Sequence, residues 1–227
     1  MSTNINDNPN QFECDAILFD LDGVLINSTG NIIGHWQVWA DKNGIDINKI
    51  SKVAHGLRTI ETMRLVAPHL NVEKEAKLFF ENELLDTTGI VAIDGARHIL
   101  TSLPEAAWAI VTSGDLELFK VRMAKAGLPV PRFLVTANDV KHGKPSPEPY
   151  LTGAKRIGVP PERCIVIEDA PAGIEAGKKA GMRVIAIAST HHRDELLGNG
   201  ADIVLEKLAD MDIQNGADGN RLIIQMK

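Results

Sequence analysis

Short apolar runs alternate with helical segments along the chain from residue 94 onward. The clearest runs are Trp-Ala-Ile-Val at 108–111, Cys-Ile-Val-Ile at 164–167 and Val-Ile-Ala-Ile at 184–187. Short runs that are apolar throughout are typical of strands buried on both faces of a sheet. Strands separated by helices predict a parallel sheet with helices on both sides. The pattern therefore predicts an α/β fold built on a doubly wound parallel sheet.

A helical stretch precedes this alternation. Apolar residues recur at helical spacing over residues 32–42, 60–66 and 73–85, and no convincing strand lies between these segments. Trp36 and Trp39 fall on one side of the first helix. We therefore predict a small inserted α-helical domain whose core contains both tryptophans.

The domain boundaries follow from where the alternation stops and resumes. We predict a core domain formed by residues 1–27 and 94–227, with the helical insert at 28–93. The first ten residues are polar, and we expect them to be disordered. Turn-forming residues at 215–220, followed by the apolar run at 222–224, predict a final turn and an edge strand.

Composition argues against several classes of function. The chain has 227 residues, of which 44% are hydrophobic and 24% charged, as expected for a globular protein with a sizeable core. Its net charge of −6 argues against nucleic acid or an anionic membrane as the main partner. No apolar run approaches the roughly 18–20 residues that span a bilayer. The polar start lacks an export signal, and the two cysteines, Cys14 and Cys164, suit a reducing compartment. We therefore expect a cytoplasmic protein. Composition does not determine its oligomeric state, for which our expectation is a monomer or a weak dimer.

Polar side chains follow several predicted strands directly. The carboxyl ends of parallel strands share one edge of a sheet, where ligands bind, so we expect these residues to lie close together. They are Asp20 and Asp22 at the end of the strand predicted at 15–21, Thr112, Ser113 and Gly114 after the strand at 108–111, Lys144 beyond the next strand, and Glu168 and Asp169 after the strand at 164–167.

The pair Asp20 and Asp22 is the least ordinary of these features. Each carboxylate raises the cost of ionising the other, and charges at the end of an apolar strand are costly without partners. A bound cation, or a reaction that uses two carboxylates in different roles, would explain the pair. With Lys144 and the donors of Ser113 and Gly114, the carboxylates indicate a Mg²⁺ site beside a phosphate site, as phosphoryl transfer requires.

Four ordered segments resemble the motifs of the haloacid dehalogenase-like hydrolase superfamily. They are Asp-Leu-Asp-Gly-Val at 20–24, Thr-Ser-Gly at 112–114, Gly-Lys-Pro at 143–145 and Glu-Asp-Ala-Pro-Ala-Gly at 168–173. The resemblance implies a Rossmann-like core, and the helical insert resembles the C1 cap of that family. Within the family, the chain is most similar to phosphatases of small sugar and polyol phosphates, namely the deoxyglucose-6-phosphate, glycerol-phosphate and hexitol-phosphate types.

The resemblance also implies roles for the polar residues. Asp20 would be the nucleophile that forms an aspartyl-phosphate, and Asp22 would be the general acid and then the general base. Lys144 would neutralise charge among the nucleophile, the phosphate and Asp169. A Mg²⁺ ion would be held by the Asp20 carboxylate, the backbone carbonyl of Asp22 and Asp169, with Glu168 bound to it directly or through water.

Substrate binding is divided between the two domains in this family. Thr112, Ser113 and Gly114 would bind the transferring phosphoryl group, together with Lys144. On the cap, Arg58 either contacts sugar hydroxyls or forms a surface ion pair. His55 either contacts the substrate or packs between the domains.

We therefore expect a Mg²⁺-dependent phosphatase that acts on a small phosphorylated sugar or polyol, with no nucleic acid or membrane partner. A β-phosphoglucomutase-like enzyme would use the same core and return the phosphate to the sugar, and it is the alternative. A non-catalytic regulator that binds a metabolite fits less well, because Asp20, Asp22, Lys144 and Asp169 are all present.

Overall fold

The structure, a computed structural model, describes residues 11–216 and 221–227. The disorder expected for residues 1–10 lies outside this part of the chain, as does most of the turn predicted at 215–220. None of the helices in the described residues is long and apolar enough to cross a bilayer.

Strands and helices alternate through most of the chain. The strands are β1 (Gln11–Cys14), β2 (Ala16–Phe19), β3 (Ile26–Asn27), β4 (Val91–Ala92), β5 (Trp108–Val111), β6 (Phe133–Val135), β7 (Cys164–Glu168), β8 (Arg183–Ile187), β9 (Ile203–Leu205), β10 (Met211–Asn215) and β11 (Leu222–Met226). The helices are α1 (Thr29–Asn43), α2 (Ile47–Ser51), α3 (Thr59–Val66), α4 (Val72–Leu85), α5 (Ala96–Ser102), α6 (Leu116–Ala126), α7 (Glu148–Ile157), α8 (Pro171–Lys179) and α9 (Arg193–Gly198).

A six-stranded parallel sheet forms the centre of the core domain, in the order β6-β5-β2-β7-β8-β9. Every residue of β2, β5 and β7 is buried. Side chains alternate between the two faces, so Ile17 and Phe19 join one apolar cluster while Ala16 and Leu18 join the other. Helices cover both faces, and the predicted α/β class is therefore confirmed.

The order in which strands are added to this sheet changes side at β2. The chain runs from β2 to β5 and β6 on one side, and then crosses to β7, β8 and β9 on the other. In open α/β sheets such a switch point leaves a crevice at the carboxyl ends of the strands. The polar residues that follow β2, β5 and β7 border this crevice.

The helical insert consists of α1 to α4 and has an apolar core of its own. Trp36, Trp39, Met63 and Phe79 are buried in that core, as the sequence predicts for the two tryptophans. The two chain connections to the core domain pair as the short antiparallel strands β3 and β4. We propose that the cap hinges at this pair of strands. The predicted domain boundary, with the cap at 28–93, also stays a proposal.

The strand near the end of the chain differs from the prediction. The sequence predicts an edge strand at 222–224, but β11 is the central strand of a separate antiparallel sheet in the order β1-β11-β10. The prediction is wrong because β1, only four residues long and partly polar, supplies the second neighbour. Leu222 and Ile224 instead extend the apolar cluster that includes Ile17 and Phe19.

Candidate active site

Asp20 lies at the end of β2, at the floor of a cavity between the sheet and the cap. Its amide donates a hydrogen bond to the carbonyl of Ile167 at 2.9 Å, which continues the pairing of β2 with β7 past the last strand residue. The carboxyl group is buried and borders the cavity, which encloses about 150 Å³. Asp22, Thr112 and Asp169 line the same cavity. The structure thus places residues from three separate strand ends around one small space.

Lys144 is fully buried and joins two of these carboxylates. Its Nζ donates to Asp20 Oδ1 at 2.5 Å and to Glu168 Oε1 at 2.7 Å. The Tyr150 hydroxyl donates to the same Glu168 oxygen at 2.7 Å. The loop before the lysine is fixed by Glu148, whose carboxylate accepts the backbone N–H groups of residues 141 and 142. Lys144 is therefore a rigidly held counter-charge to the carboxylate expected to act as the nucleophile.

Negative charge in this cluster exceeds the positive charge. One carboxylate oxygen from each of Asp20, Glu168 and Asp169 lies within 4.8 Å of the other two, and all three residues are buried. Burial raises the pKa of Asp20 to about 7, against the lowering effect of Lys144 and with a further increase from Glu168. Burial and the neighbouring carboxylates also raise the pKa of Asp169 well above its ordinary range. One lysine does not neutralise three carboxylates, and a hard divalent cation would complete the charge balance.

Two glycines let the backbone approach these carboxylates closely. A Cβ atom on Gly173 would lie 1.7 Å from Glu168 Oε1, and one on Gly23 would lie 2.1 Å from Asp169 Oδ2. Any side chain at either position would collide with a carboxylate of the cluster. The glycines of the first and fourth motifs therefore leave the space that the carboxylates of Asp169 and Glu168 occupy.

Asp22 points away from the acidic cluster, although it borders the same cavity. Its Oδ1 accepts a hydrogen bond from Ser28 Oγ at 2.5 Å, and its Oδ2 accepts one from Arg122 at 2.7 Å. The Asp22 side chain is not part of the group formed by the other three carboxylates, and its expected contribution to the metal site is a backbone carbonyl. The two aspartates that follow β2 thus have different surroundings, as different roles would require.

Sequence reasoning missed the partner of Asp22. Arg122 lies on α6 and is buried, and its second guanidinium nitrogen donates to Glu83 Oε1 on cap helix α4 at 2.9 Å. Burial and Asp22 raise the pKa of Glu83 to about 7, while Arg122 opposes the increase. Both charged residues lie on the apolar faces of their helices. On α6, Arg122 lies on the same face as Phe119, and on α4, Glu83 comes four residues after Phe79. A charged residue on an apolar face is the signal that could have identified them.

The turn after β5 presents donors to the cavity. Gly114 N–H donates to Thr112 Oγ1 at 3.0 Å, which closes the turn. The Ser113 hydroxyl donates to the cap carbonyl of Gly56 at 2.6 Å. Within the described residues, the amide of Ser113 has no hydrogen-bond acceptor. That free N–H is suitable for an anion, as the predicted phosphate site requires.

The two predicted cap residues differ in position. His55 lines the cavity, and its ring packs edge-on against that of His191, with centroids 5.1 Å apart. Burial and His191 lower its pKa. Arg58 is not among the described residues that line this cavity. It borders an adjoining cavity, and its guanidinium donates a hydrogen bond to the carbonyl of Val140 at 3.3 Å. Its role as a substrate contact stays a prediction.

The chain matches the family model of the haloacid dehalogenase-like hydrolases over residues 17–187. It belongs to this family. The matched residues include the four motif segments described above, so the resemblance seen in the sequence is confirmed.

Several family members with assigned activities are similar to this hydrolase. Hexitol phosphatase A of Escherichia coli (strain K12) is 36% identical over 92% of this chain and 99% of its own length. Glycerol-1-phosphate phosphohydrolase 2 of Saccharomyces cerevisiae is 35% identical over 87% of this chain and 84% of its own. A Bacteroides vulgatus protein, proposed to be a beta-phosphoglucomutase, has a solved structure that covers 86% of this chain and 84% of its own, with 31% identity and a TM-score of 0.73.

Proposed function

We propose that this hydrolase is a Mg²⁺-dependent phosphatase that removes the phosphate from a small sugar or sugar alcohol through an aspartyl-phosphate. The observation that carries the proposal is the setting of Asp20, whose buried carboxylate borders the cavity and is bound by Lys144 at 2.5 Å. A second carboxylate, Asp22, lies within the same cavity but outside the acidic cluster. This is the arrangement that a nucleophile and a separate acid–base group need.

Each step follows from these positions. The Asp20 carboxylate attacks phosphorus, and the bond between phosphorus and the substrate oxygen breaks. Asp22 gives its proton to the departing alkoxide, so the alcohol leaves neutral. Asp22 then accepts a proton from a water molecule that attacks the aspartyl-phosphate, which regenerates Asp20 and releases inorganic phosphate. Lys144 and the amide of Ser113 offset the charge on the phosphoryl oxygens.

The acidic cluster fits the metal that the family resemblance implies. Asp20 and Asp169 would hold Mg²⁺ with the backbone carbonyl of Asp22, and Glu168 would bind it directly or through water. The donors are all oxygen atoms, and the excess of buried negative charge is what a hard divalent cation would offset. When bound, Mg²⁺ would orient the phosphate and neutralise charge that develops on its oxygens.

The lining of the cavity supports a substrate whose far end is uncharged. Among the described residues that line it, Arg122 is the single lysine or arginine, and it is already bound to two carboxylates. The cap contributes apolar groups such as Ile32 and Trp36 together with the hydroxyl groups of Ser51 and Thr59. This mixture suits the carbon chain and hydroxyls of a polyol or sugar monophosphate. The names of the E. coli and yeast relatives support the same substrate class.

The structural likeness to the Bacteroides protein supports the alternative, a sugar-phosphate mutase. A mutase that works through a bisphosphate must bind a second phosphate, and Arg58 and Lys77 line the adjoining cavity. The two candidates differ in their product: a phosphatase releases inorganic phosphate, whereas a mutase returns the phosphoryl group to a sugar.

Two free, buried cysteines fit the cytoplasm as the compartment that we propose for this hydrolase. Its oligomeric state, a monomer or a weak dimer, stays a prediction.

Metal dependence provides the first test. We expect phosphate release from a panel of hexose, hexitol, pentose and triose monophosphates to fall to background in EDTA and to return when Mg²⁺ is added. Ca²⁺ should inhibit, because it takes more oxygen ligands at longer distances and would misplace the Asp20 carboxylate. Full activity in EDTA, measured with a phosphate assay, would exclude the metal-assisted route.

A further inference from the structure

Arg122 forms a buried bridge between the two domains. One guanidinium nitrogen binds Asp22 of the core domain at 2.7 Å, and the other binds Glu83 of the cap at 2.9 Å. The side chains of Arg122 and Glu83 are 4% and 5% exposed. The third nitrogen of Arg122, Nε, is buried without a hydrogen-bond partner among the described residues. The side chain is thus fixed at two points, and the bridge borders the substrate cavity.

The charges of this bridge make it sensitive to the position of the cap. Glu83 belongs to α4, whereas Asp22 and Arg122 belong to the core domain. If the cap moved away, Glu83 would be exposed to water and the guanidinium would lose one of its two carboxylates. The hydrogen bond from the Ser113 hydroxyl to the Gly56 carbonyl is another contact between the cap and the core domain, but it involves no ionic group and does not reach Asp22. The bridge therefore links the closed cap to one catalytic side chain.

We propose that Arg122 is a positioning residue that orients Asp22 towards the leaving oxygen, and that Glu83 makes this orientation depend on cap closure. The inference rests on the proposed function. The hydrogen bonds from Arg122 and Ser28 hold the carboxyl group of Asp22 in one orientation at the cavity. An acid held in the right direction lowers the barrier of the step in which the leaving oxygen takes up its proton. Ser28 fixes the other carboxylate oxygen, so the arginine sets the remaining direction.

This role predicts a dependence on the leaving group. A polyol leaves as a strongly basic alkoxide and needs the proton from Asp22, whereas 4-nitrophenolate is stable without one. We compare kcat/KM, which covers the steps up to departure of the leaving group, for 4-nitrophenyl phosphate and for the polyol or sugar monophosphate that the wild type hydrolyses fastest. For Arg122→Gln we expect the polyol value to fall by about 100-fold and the aryl value by less than about 5-fold. For Glu83→Gln we expect kcat/KM to fall by about 10-fold for the polyol phosphate and by about 2-fold for the aryl phosphate.

Matched variants separate this role from ordinary stabilisation. Glu75→Gln alters a carboxylate on the same cap helix that binds Trp39 Nε1 at 3.0 Å and stays within the cap, so the ratio of the two values should not change. Arg122→Lys keeps the charge and should recover part of the polyol activity. Because both substrates are measured on one preparation, the ratio does not depend on the fraction of folded enzyme. The double variant should be no worse than Arg122→Gln alone, since the two residues act through one bridge.

If Arg122→Gln lost activity equally on both substrates, the inference would be overturned. Additive losses in the double variant would overturn it as well. Both results would leave the proposed phosphatase function intact. A wild-type enzyme that hydrolyses neither substrate would instead overturn the proposed function. A selective loss on the polyol for Arg122→Gln and Glu83→Gln, but not for Glu75→Gln, is the result that we expect.

Discussion

Asp20→Asn is expected to abolish turnover while leaving the protein folded. The amide cannot attack phosphorus, so no aspartyl-phosphate forms, and we expect less than about a thousandth of the wild-type rate to remain. The fold should survive, because Asn has nearly the same shape and Lys144 keeps its second partner, Glu168, at 2.7 Å. Quenching the enzyme in acid during turnover and measuring its mass should reveal a phosphorylated species in the wild type and none in Asp20→Asn.

The control for this variant is Asp194→Asn, which makes the same chemical change at an exposed position on α9. It should keep wild-type turnover and the phosphorylated species. If Asp20→Asn retained more than about a thousandth of the turnover, the assignment of the nucleophile would be wrong.

Lys144→Met is expected to reduce both stability and activity. The lysine is 1% exposed and is the cation that contacts Asp20 and Glu168. Methionine fills a similar volume but leaves buried carboxylates without their partner, so we expect the free energy of unfolding to fall by about 3–5 kcal/mol. Turnover should fall by at least about 100-fold because Asp20 and the phosphoryl group would lose the lysine that offsets their charge. Urea unfolding in EDTA measures the first effect without the contribution of bound metal.

Lys178→Met is the matched control. Lys178 pairs with Asp202 at 2.7 Å, but its side chain is 37% exposed, and solvent weakens such pairs. We expect a loss of less than about 1 kcal/mol and unchanged turnover. Equal destabilisation by the two substitutions would show that the ion pairs of Lys144 do not hold the acidic cluster together.

The sequence predicted the parts of the site that follow from sheet topology. Asp20, Thr112 and Asp169 each lie at or near the end of a predicted strand, and parallel strands place their carboxyl ends along one edge. Lys144 is further from its strand, and the Gly-Lys-Pro motif identified it through family resemblance. The architecture was also predictable, because apolar runs that alternate with helices permit few arrangements other than a covered parallel sheet.

The contacts between the cap and the core domain were not predictable in this way. Arg122 and Glu83 are 39 positions apart, and they meet because of how the cap lies on the sheet, which local periodicity does not record. Arg58 illustrates the same limit: its place in the sequence assigns it to the cap, but its side chain extends to the carbonyl of Val140 beside an adjoining cavity. The pairing of β11 with β1 was missed because a partner from the opposite end of the chain leaves no local signal.

The destination of the oxygen from water tests the central claim most directly. The wild-type enzyme is given a polyol monophosphate and Mg²⁺ in water enriched in ¹⁸O, and both products are analysed by mass spectrometry. If the enzyme is a phosphatase in which water takes up the phosphoryl group at phosphorus, inorganic phosphate should form in equal amounts with the free polyol. The phosphate should carry the label and the polyol none. Label in the polyol would place the attack at carbon, and a positional isomer of the polyol phosphate without inorganic phosphate would identify a mutase; either result would contradict the account.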